Sequence, residues 1–286
     1  MYRCQRTLRR PVEFAGIGLH TGYAVNMTLV PAPPGTGLIF RRTDLRGFEI
    51  EARRVNVAKV SYATTLMKKG VMLSTVEHIL SALYGLEIDN LYIDTDATET
   101  PILDGSCACF VESVLRAGIE DQNAPRRFLV IEKPIEVRQE GKFIGVYPSD
   151  VPRATYSIDF EHPSIGRQRI DVKLTPETFC REIAPARTFG FAADIDYLKN
   201  LGLIRAGSLE NAVVLGPDGI LNPPLRFPDE FVRHKLLDML GDIALVGYPI
   251  IGHFRAERAG HAIHAALCEQ ILRSRDLYRI CDATER

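Results

Sequence analysis

The stretch FVRHKLLDMLGDIALVG, residues 231–247, decides how this chain folds, because it predicts a buried helix that also carries reactive side chains. Its apolar residues recur at roughly helical spacing. They are Phe231, Leu236, Leu237, Leu240, Ile243 and Leu245. His234, Asp238 and Asp242 follow one another at four-residue intervals, which stacks an imidazole and two carboxylates along one side of the helix. Such a ladder on a buried helix indicates a binding or catalytic site.

The composition is that of an ordinary globular protein and argues against several classes of function. The 286 residues include 35 basic and 36 acidic side chains, and 46% are hydrophobic, which is enough for a sizeable core. A near-neutral charge argues against general nucleic-acid binding, which requires a basic excess. No apolar run is long enough for a transmembrane helix. No apolar stretch follows the basic N-terminus, so no signal peptide is expected.

The cysteines indicate a reducing compartment. None of the six lies in a CxxC pair, and Cys107 and Cys109 are too close in an extended chain for a structural bridge. Free thiols are typical of cytosolic proteins. We therefore expect free cysteines and a cytoplasmic location.

The predicted elements follow the same order in both halves of the chain: strands, a helix, a strand and a closing helix. His78 and His234 both lie in the first turns of predicted helices, at 74–86 and 231–247, and they precede Gly105 and Gly260 by nearly equal intervals. A polar, proline-containing break at 120–128 separates the halves. This repeat predicts an α+β fold of two similar domains, residues 1–123 and 127–286, packed as a pseudo-twofold sandwich with the helices inside. The two histidine-bearing helices would then meet at a site between the domains.

A metal site is one interpretation of these histidines. His234 and Asp238 lie one helical turn apart and could bind one ion, with His78 as the third ligand by the symmetry of the halves. Catalytic zinc sites use such ligands and keep one position open for water. The HxxxD pattern also fits a plain hydrogen bond at a helix surface. Glu77, beside His78, is either a general base or a favourable charge in the first helical turn.

The last predicted helix opens with two more histidines. A helix N-terminus disfavours the protonated form of histidine, and Asp242 could be the acidic partner that keeps His261 charged. His264 is expected at the helix surface. Residues 189–216 have no counterpart in the first half, and they are expected to form either core or an apolar passage.

Six ordered motifs resemble those of the UDP-3-O-acyl-N-acetylglucosamine deacetylases, the zinc amidases that commit Gram-negative bacteria to lipid A synthesis. The resemblance runs from residue 1 to about residue 275, in the same order and with family-like spacing. The motifs are GIGLHTG (16–22), STVEHILSAL (74–83), IDN to PILDGS (88–106), ARTFGF (186–191), FVRHKLLDMLGD (231–242) and AGHAIH (259–264).

The resemblance implies roles for the residues around the metal. Its zinc ligands would be His78, His234 and Asp238, and iron is an alternative ion for this donor set. Glu77 would be the general base. His261 would stabilise the oxyanion and donate a proton to the leaving amine, and Asp242 would orient and charge it.

The resemblance also implies how a substrate would be held. Thr188 would donate its hydroxyl to the oxyanion, and Phe189 would pack on the sugar. Lys235 would face the glucosamine–diphosphate region, and Lys142 would lie near the diphosphate. The family fold carries an insert in each domain, and the second insert, the acyl passage, matches residues 189–216.

The expected activity is therefore hydrolysis of the N-acetyl group of UDP-3-O-acyl-N-acetylglucosamine by a cytoplasmic, zinc-dependent monomer. A non-catalytic relative that binds UDP-sugars or lipids would lack Glu77 or a metal ligand, and this chain has all of them. A hydrolase of a smaller amide would need no apolar passage. The chain departs from many members of the family before the first helix, where Ala63, Thr64 and Thr65 stand in place of cysteine.

Overall fold

The computed structural model describes residues 3–283, apart from the side chain of Lys59, and it has the predicted α+β fold. In the first half, the strands are β1 (Cys4–Leu8), β2 (Val12–Ile17), β3 (Ala24–Pro31), β4 (Leu38–Arg42), β5 (Phe48–Glu51), β6 (Val57–Lys59), β7 (Thr65–Lys68), β8 (Val71–Leu73), β9 (Leu91–Thr95) and β10 (Ile119–Pro125). The helices are α1 (Glu77–Gly85) and α2 (Ala108–Ala117), with 3-10 turns at Thr43–Leu45 and Arg54–Asn56.

The second half contains the longest helix. Its strands are β11 (Arg127–Ile131), β12 (Ile135–Gln139), β13 (Lys142–Tyr147), β14 (Arg153–Phe160), β15 (Gly166–Lys173), β16 (Phe189–Phe191), β17 (Val213–Gly216), β18 (Gly219–Ile220), β19 (Ile250–Ile251), β20 (His253–Glu257) and β21 (Tyr278–Asp282). Its helices are α3 (Pro176–Thr178), α4 (Ile195–Asn200), α5 (Glu230–Ala244) and α6 (His261–Arg273), with a π turn at Phe179–Ile183 and a 3-10 turn at Ala192–Asp194.

Two five-stranded sheets share one topology. Their strand orders are β2-β3-β9-β4-β5 and β12-β13-β20-β14-β15. In each sheet one internal pair is parallel, β4 with β9 and β14 with β20, and the other pairs are antiparallel. This shared order is the repeat that the sequence predicts. The domain limits of residues 123 and 127 stay a prediction.

The helices lie inside the fold because their apolar faces cover the inner faces of both sheets. Along β14, buried Ala154, Tyr156 and Ile158 alternate with more exposed residues, as expected for a sheet with one face on the core. Leu80 of α1 and Leu236 of α5 are fully buried in the same continuous core. Burying each such side chain contributes about 1.5–3 kcal/mol. The close contact of α1 with α5 positions the candidate site.

Two local predictions were wrong. Residues 119–125 form strand β10, which pairs with β1, where a polar break was predicted. Its side chains are mostly exposed, so the backbone pairing rather than an apolar pattern makes it a strand. Helix α1 begins at Glu77 rather than at residue 74, and no side chain of the described residues caps its N-terminus. The Thr75 hydroxyl donates to Glu99 instead.

Outside this frame, the described residues form three three-stranded sheets, β6-β7-β8, β16-β17-β18 and β19-β11-β21, and the two-stranded pair of β1 and β10. The 189–216 segment contains β16 and β17 of the β16-β17-β18 sheet and the short helix α4. None of the helices within residues 3–283 combines the length and apolar character that a membrane crossing requires.

Candidate active site

Helices α1 and α5 bring two histidines and an aspartate to one point. Nε2 of His234 lies 3.3 Å from Oδ1 of Asp238, and Nε2 of His78 lies 3.8 Å from the same oxygen. The two imidazole rings are nearly perpendicular, with centroids 5.1 Å apart. All three side chains are buried, and each offers a ligand atom within 4.8 Å of the others.

These separations fit a bound divalent ion. Four ligands at 2.0–2.1 Å from a tetrahedral ion lie about 3.3 Å from one another, which is close to the observed spacing. Nδ1 of His234 lies 3.0 Å from the carbonyl of Ala186, a partner that keeps the proton on Nδ1 and leaves Nε2 free to bind a metal. Burial and the neighbouring His234 lower the pKa of His78 to about 3, so this imidazole is neutral. The donor set therefore suits a metal with nitrogen and oxygen ligands.

Lys235 balances the charge of Asp238. Its Nζ donates to Oδ2 of Asp238 at 2.8 Å, which leaves Oδ1 facing the histidines. Burial alone would raise the pKa of Asp238, but the Lys235 ammonium and His234 outweigh it and hold this pKa well below its ordinary value. Burial acts against the charge of Lys235 as well, yet Asp238 keeps the lysine pKa raised. Asp238 is thus an ionised carboxylate, the form that can bind a cation.

Glu77 lies beside this cluster with a pKa suited to proton transfer. Its Oε2 accepts a hydrogen bond from the backbone N–H of Thr64 at 3.0 Å. Burial raises the pKa of Glu77 to about 7, and His261 opposes that rise. A carboxylate with a pKa near the working pH can accept a proton and release it again. A bound cation would favour its ionised form further.

A second cluster surrounds Asp242. Its Oδ2 lies 2.7 Å from Nδ1 of His261 and 2.9 Å from Nδ1 of His264, and its Oδ1 accepts from the Thr64 hydroxyl at 2.5 Å. Burial alone would lower the pKa of His261, but Asp242 raises it to about 9. Burial alone would raise the pKa of Asp242, but His261 and His264 lower it to about 2. Asp242 and His261 are therefore an ion pair at neutral pH.

Asp242, His261 and His264 are also close enough together to be considered as a metal site. The distances of 2.7 and 2.9 Å are those of hydrogen bonds, shorter than the spacing of ligands around an ion. His264 is fully buried, and its Nε2 lies 3.1 Å from the Tyr156 hydroxyl. The prediction of a surface position for His264 was wrong, because α6 packs this face against α5 and the second sheet.

One cavity of about 260 Å³ connects these groups. It is lined by side chains of both halves, including Thr188 and Phe189. Phe189 packs edge-on against Phe231 and Phe160, with centroids 5.0 and 5.8 Å away. The further lining residues are Leu19, His20, Tyr62, Thr75, Glu77, His78, Ile102, Phe160, His234, Lys235, Asp238 and His261. Nine of the ten residues expected at the site are thus in this cavity or bound directly to its wall.

Lys142 is the exception. It is exposed at the start of β13, in the hairpin with β12, and it is not among the residues that line the cavity in the described part of the chain. The 189–216 segment, unlike Lys142, reaches the cavity wall. Its Ala206 N–H donates to the carbonyl of Leu19, a cavity-lining residue, at 3.1 Å.

Two features of the site were not predicted from the sequence. Thr64 contacts both Glu77 and Asp242, yet the sequence marked it only as a departure from the family. Arg187 forms an ion pair with Glu230, which is fully buried at the start of α5, at 2.9 Å. That pair holds the segment that leads through Thr188 into β16 against the start of α5. The arginine of ARTFGF was the available signal, but its partner lies 43 residues away.

Comparison with known proteins agrees with this geometry. The family model for UDP-3-O-acyl N-acetylglycosamine deacetylase matches residues 5–273. UDP-3-O-acyl-N-acetylglucosamine deacetylases from Solibacter usitatus and Myxococcus xanthus are 48% and 47% identical to this chain, over 97% and 99% of it and 94% and 90% of their own lengths. The enzyme of that name from Syntrophotalea carbinolica is 45% identical over 98% of this chain and 92% of its own. The chain belongs to the UDP-3-O-acyl N-acetylglycosamine deacetylase family.

Proposed function

We propose that this protein hydrolyses the N-acetyl group of UDP-3-O-acyl-N-acetylglucosamine, releasing acetate and UDP-3-O-acyl-glucosamine, in lipid A biosynthesis. The observation that carries the proposal is the convergence of His78, His234, Asp238, Glu77 and His261 on one cavity. Membership of the deacetylase family and the names of three close relatives support the same reaction.

His78, His234 and Asp238 would hold the metal. Two imidazoles and a carboxylate suit zinc, and iron is the alternative ion for the same donor set. When bound, the metal would polarise the amide carbonyl as a Lewis acid and make water a better nucleophile at neutral pH. Lys235 supports the site by keeping Asp238 ionised and by occupying its second oxygen.

Glu77 and His261 would carry the proton transfers. Glu77 takes a proton from the attacking water, and its pKa near 7 suits that step. His261, charged through Asp242, stabilises the oxyanion and then donates a proton to the leaving amine. Because Nδ1 of His261 is bound to Asp242, Nε2 is the nitrogen that would face the oxyanion and the leaving amine. The Thr188 hydroxyl is the further donor to the oxyanion.

The substrate would extend from this centre in two directions. Phe189 offers an aromatic ring to the sugar, and Lys235 a charge to the glucosamine–diphosphate region. Lys142 would reach the diphosphate from the hairpin of β12 and β13. The acyl chain would follow the apolar 189–216 segment, in which Tyr197 and Leu201 are 59% and 53% exposed. Such apolar exposure is what a lipid chain could cover.

We also propose that the protein works in the cytoplasm, as a monomer. All six cysteines are free, which agrees with a reducing compartment. Its partner is the nucleotide-linked substrate rather than a nucleic acid, in keeping with a formal net charge of −1.

The test is acetate release by the purified, metal-analysed protein from UDP-3-O-acyl-N-acetylglucosamine. We expect turnover with this substrate, little with unacylated UDP-N-acetylglucosamine, and none for Glu77→Ala with either. No acetate release by the metal-loaded protein would refute the proposal. Equal turnover of both substrates would keep the amidase chemistry and favour a hydrolase of another amide.

A further inference from the structure

A buried glutamate outside the catalytic set connects two walls of the cavity. Glu99 is 1% exposed. Its Oε1 accepts from the backbone N–H of His20 and the hydroxyl of Thr75, each at 2.9 Å. Its Oε2 accepts from the backbone N–H and the hydroxyl of Thr21, at 2.9 and 2.8 Å. Four hydrogen bonds from two separate segments thus hold this buried carboxylate. Burying a carboxylate costs free energy, and well-formed hydrogen bonds to it offset that cost.

One of these segments is the loop Gly18–Thr21, which borders the acyl-facing side of the cavity. Leu19 and His20 line the cavity beside the metal ligands. Their carbonyls accept from the N–H groups of Ala206 and Arg205, at 3.1 and 3.3 Å, within the 189–216 segment. The loop therefore lies between the catalytic centre and the segment proposed to hold the acyl chain.

Gly18 shows how closely Glu99 approaches this loop. A methyl group at Gly18 would lie 2.4 Å from Oε2 of Glu99 and 2.5 Å from the Thr21 hydroxyl. Only glycine leaves room for the carboxylate there. The second glycine of GIGLHTG is thus explained by Glu99.

The other segment leads directly into α1. Thr75 has a φ of 59°, a left-handed conformation that is unfavourable for a β-branched residue. Its hydroxyl donates to Glu99, and its carbonyl accepts from the hydroxyl of Thr100. Two residues later the chain reaches Glu77 and then His78. The Glu99 contact therefore helps set where the general base enters the cavity.

We propose that Glu99 is a positioning residue that ties the acyl-facing loop to the start of α1. This inference rests on the proposed function. Oε2 holds only the loop, and Oε1 holds both the loop and the entry to α1, so the acyl chain and the catalytic carboxylate are aligned through a single side chain. We call the hydrogen bonds from Thr21 to Glu99 the Thr21 arm and the hydrogen bond from Thr75 to Glu99 the Thr75 arm. Losing one arm should have a different effect from losing the other. Weakening the Thr21 arm should impair binding of the acyl chain, and weakening the Thr75 arm should impair turnover.

Variants that replace a hydroxyl by a methyl group separate the two arms. We would measure kcat and KM with the full acyl substrate and with a substrate whose acyl chain is shortened. Loss of a hydrogen bond to a charged group predicts about a tenfold effect. We expect Thr21→Val to raise KM by about tenfold for the long chain and much less for the short one. We expect Thr75→Val to lower kcat by a similar factor for both substrates.

Glu99→Gln should combine both effects, because its amide nitrogen would face N–H and O–H donors. Thr28→Val, on the outward face of β3, is the matched control and should leave both constants unchanged. Metal content and melting temperature are measured for every variant. If these show that Glu99→Gln is misfolded, the two threonine variants still test the proposal.

The outcomes distinguish this inference from the proposed function. A wild-type protein that fails to deacetylate the acylated substrate refutes the function itself. The role of Glu99 is overturned if the wild type is active but Thr21→Val affects the long-chain and short-chain substrates equally, or if Thr75→Val leaves kcat unchanged. A loss that merely follows melting temperature or metal content also overturns it, since that would mark Glu99 as structural only.

Discussion

Gly241 of α5 lies directly against the backbone of Glu77 of α1. A methyl group built on Gly241 would lie 2.0 Å from the Glu77 carbonyl oxygen and 2.9 Å from its Cα. The two helices can therefore touch only because residue 241 has no side chain. This contact places Glu77 and His78 beside His234 and Asp238, although the two pairs belong to different halves of the chain.

Replacing Gly241 should therefore damage the site as well as the fold. We expect Gly241→Ala to lower the free energy of unfolding by about 1–3 kcal/mol, the usual cost of overpacking, and to weaken metal binding because the helices move apart. Thermal melting and metal analysis measure the two effects. Gly219→Ala is the matched control, since its methyl group would meet only the Ser164 hydroxyl at 3.9 Å. Unchanged stability and metal content in Gly241→Ala would show that the helices can adjust without loss.

The metal ligands can be tested by removing them one at a time. His78→Ala, His234→Ala and Asp238→Ala should each lose bound metal and activity, because two remaining donors form an incomplete site. Elemental analysis of the purified variants measures the metal. Removing the metal from the wild type with a chelator and restoring zinc or iron separately identifies the ion that supports turnover. A variant with stoichiometric metal and normal turnover would exclude that residue as a ligand.

Glu77 should be needed for chemistry and not for binding. Glu77→Gln keeps the side-chain shape but cannot accept a proton from water. We expect kcat to fall by about 10²–10⁴-fold, the usual contribution of a positioned acid–base group, with unchanged metal content and KM. A fall in metal occupancy that matches the fall in rate would instead make Glu77 part of the metal site.

Asp242 should set the upper pH limit of activity. In the proposed mechanism His261 must be protonated to act, and its pKa of about 9 depends on the Asp242 charge opposing the effect of burial. Asp242→Asn removes that charge, so the pKa of His261 should fall and the basic limb of the pH–rate profile should move to lower pH. Metal content should stay constant. An unmoved basic limb would mean that another group titrates there.

The acyl passage predicts a graded dependence on chain length. If the 189–216 segment covers the chain, each buried CH₂ removed from the substrate should cost roughly 0.8 kcal/mol in kcat/KM. A series of substrates that differ only in acyl length measures the slope. A flat series would place the acyl chain in solvent and exclude the passage.

The sequence by itself determined the features that neighbouring residues encode. Helical spacing of apolar residues predicted α5, and four-residue intervals placed His234, Asp238 and Asp242 on one side of it. The repeated order of elements predicted two sheets of one topology. These features can be predicted without a structure because they depend on the order and spacing of residues that lie close together along the chain.

Only the tertiary structure decided which distant side chains share a hydrogen bond. The Thr64 hydroxyl meets Asp242 across 178 residues, and Glu99 meets His20 across 79. Neither contact leaves a periodic trace in the sequence. Burial of His264 and pairing of β10 with β1 likewise depend on the surfaces that lie against them. A buried polar group must find its partner wherever the fold brings one, so the sequence does not reveal these partners and only the packed tertiary structure fixes them.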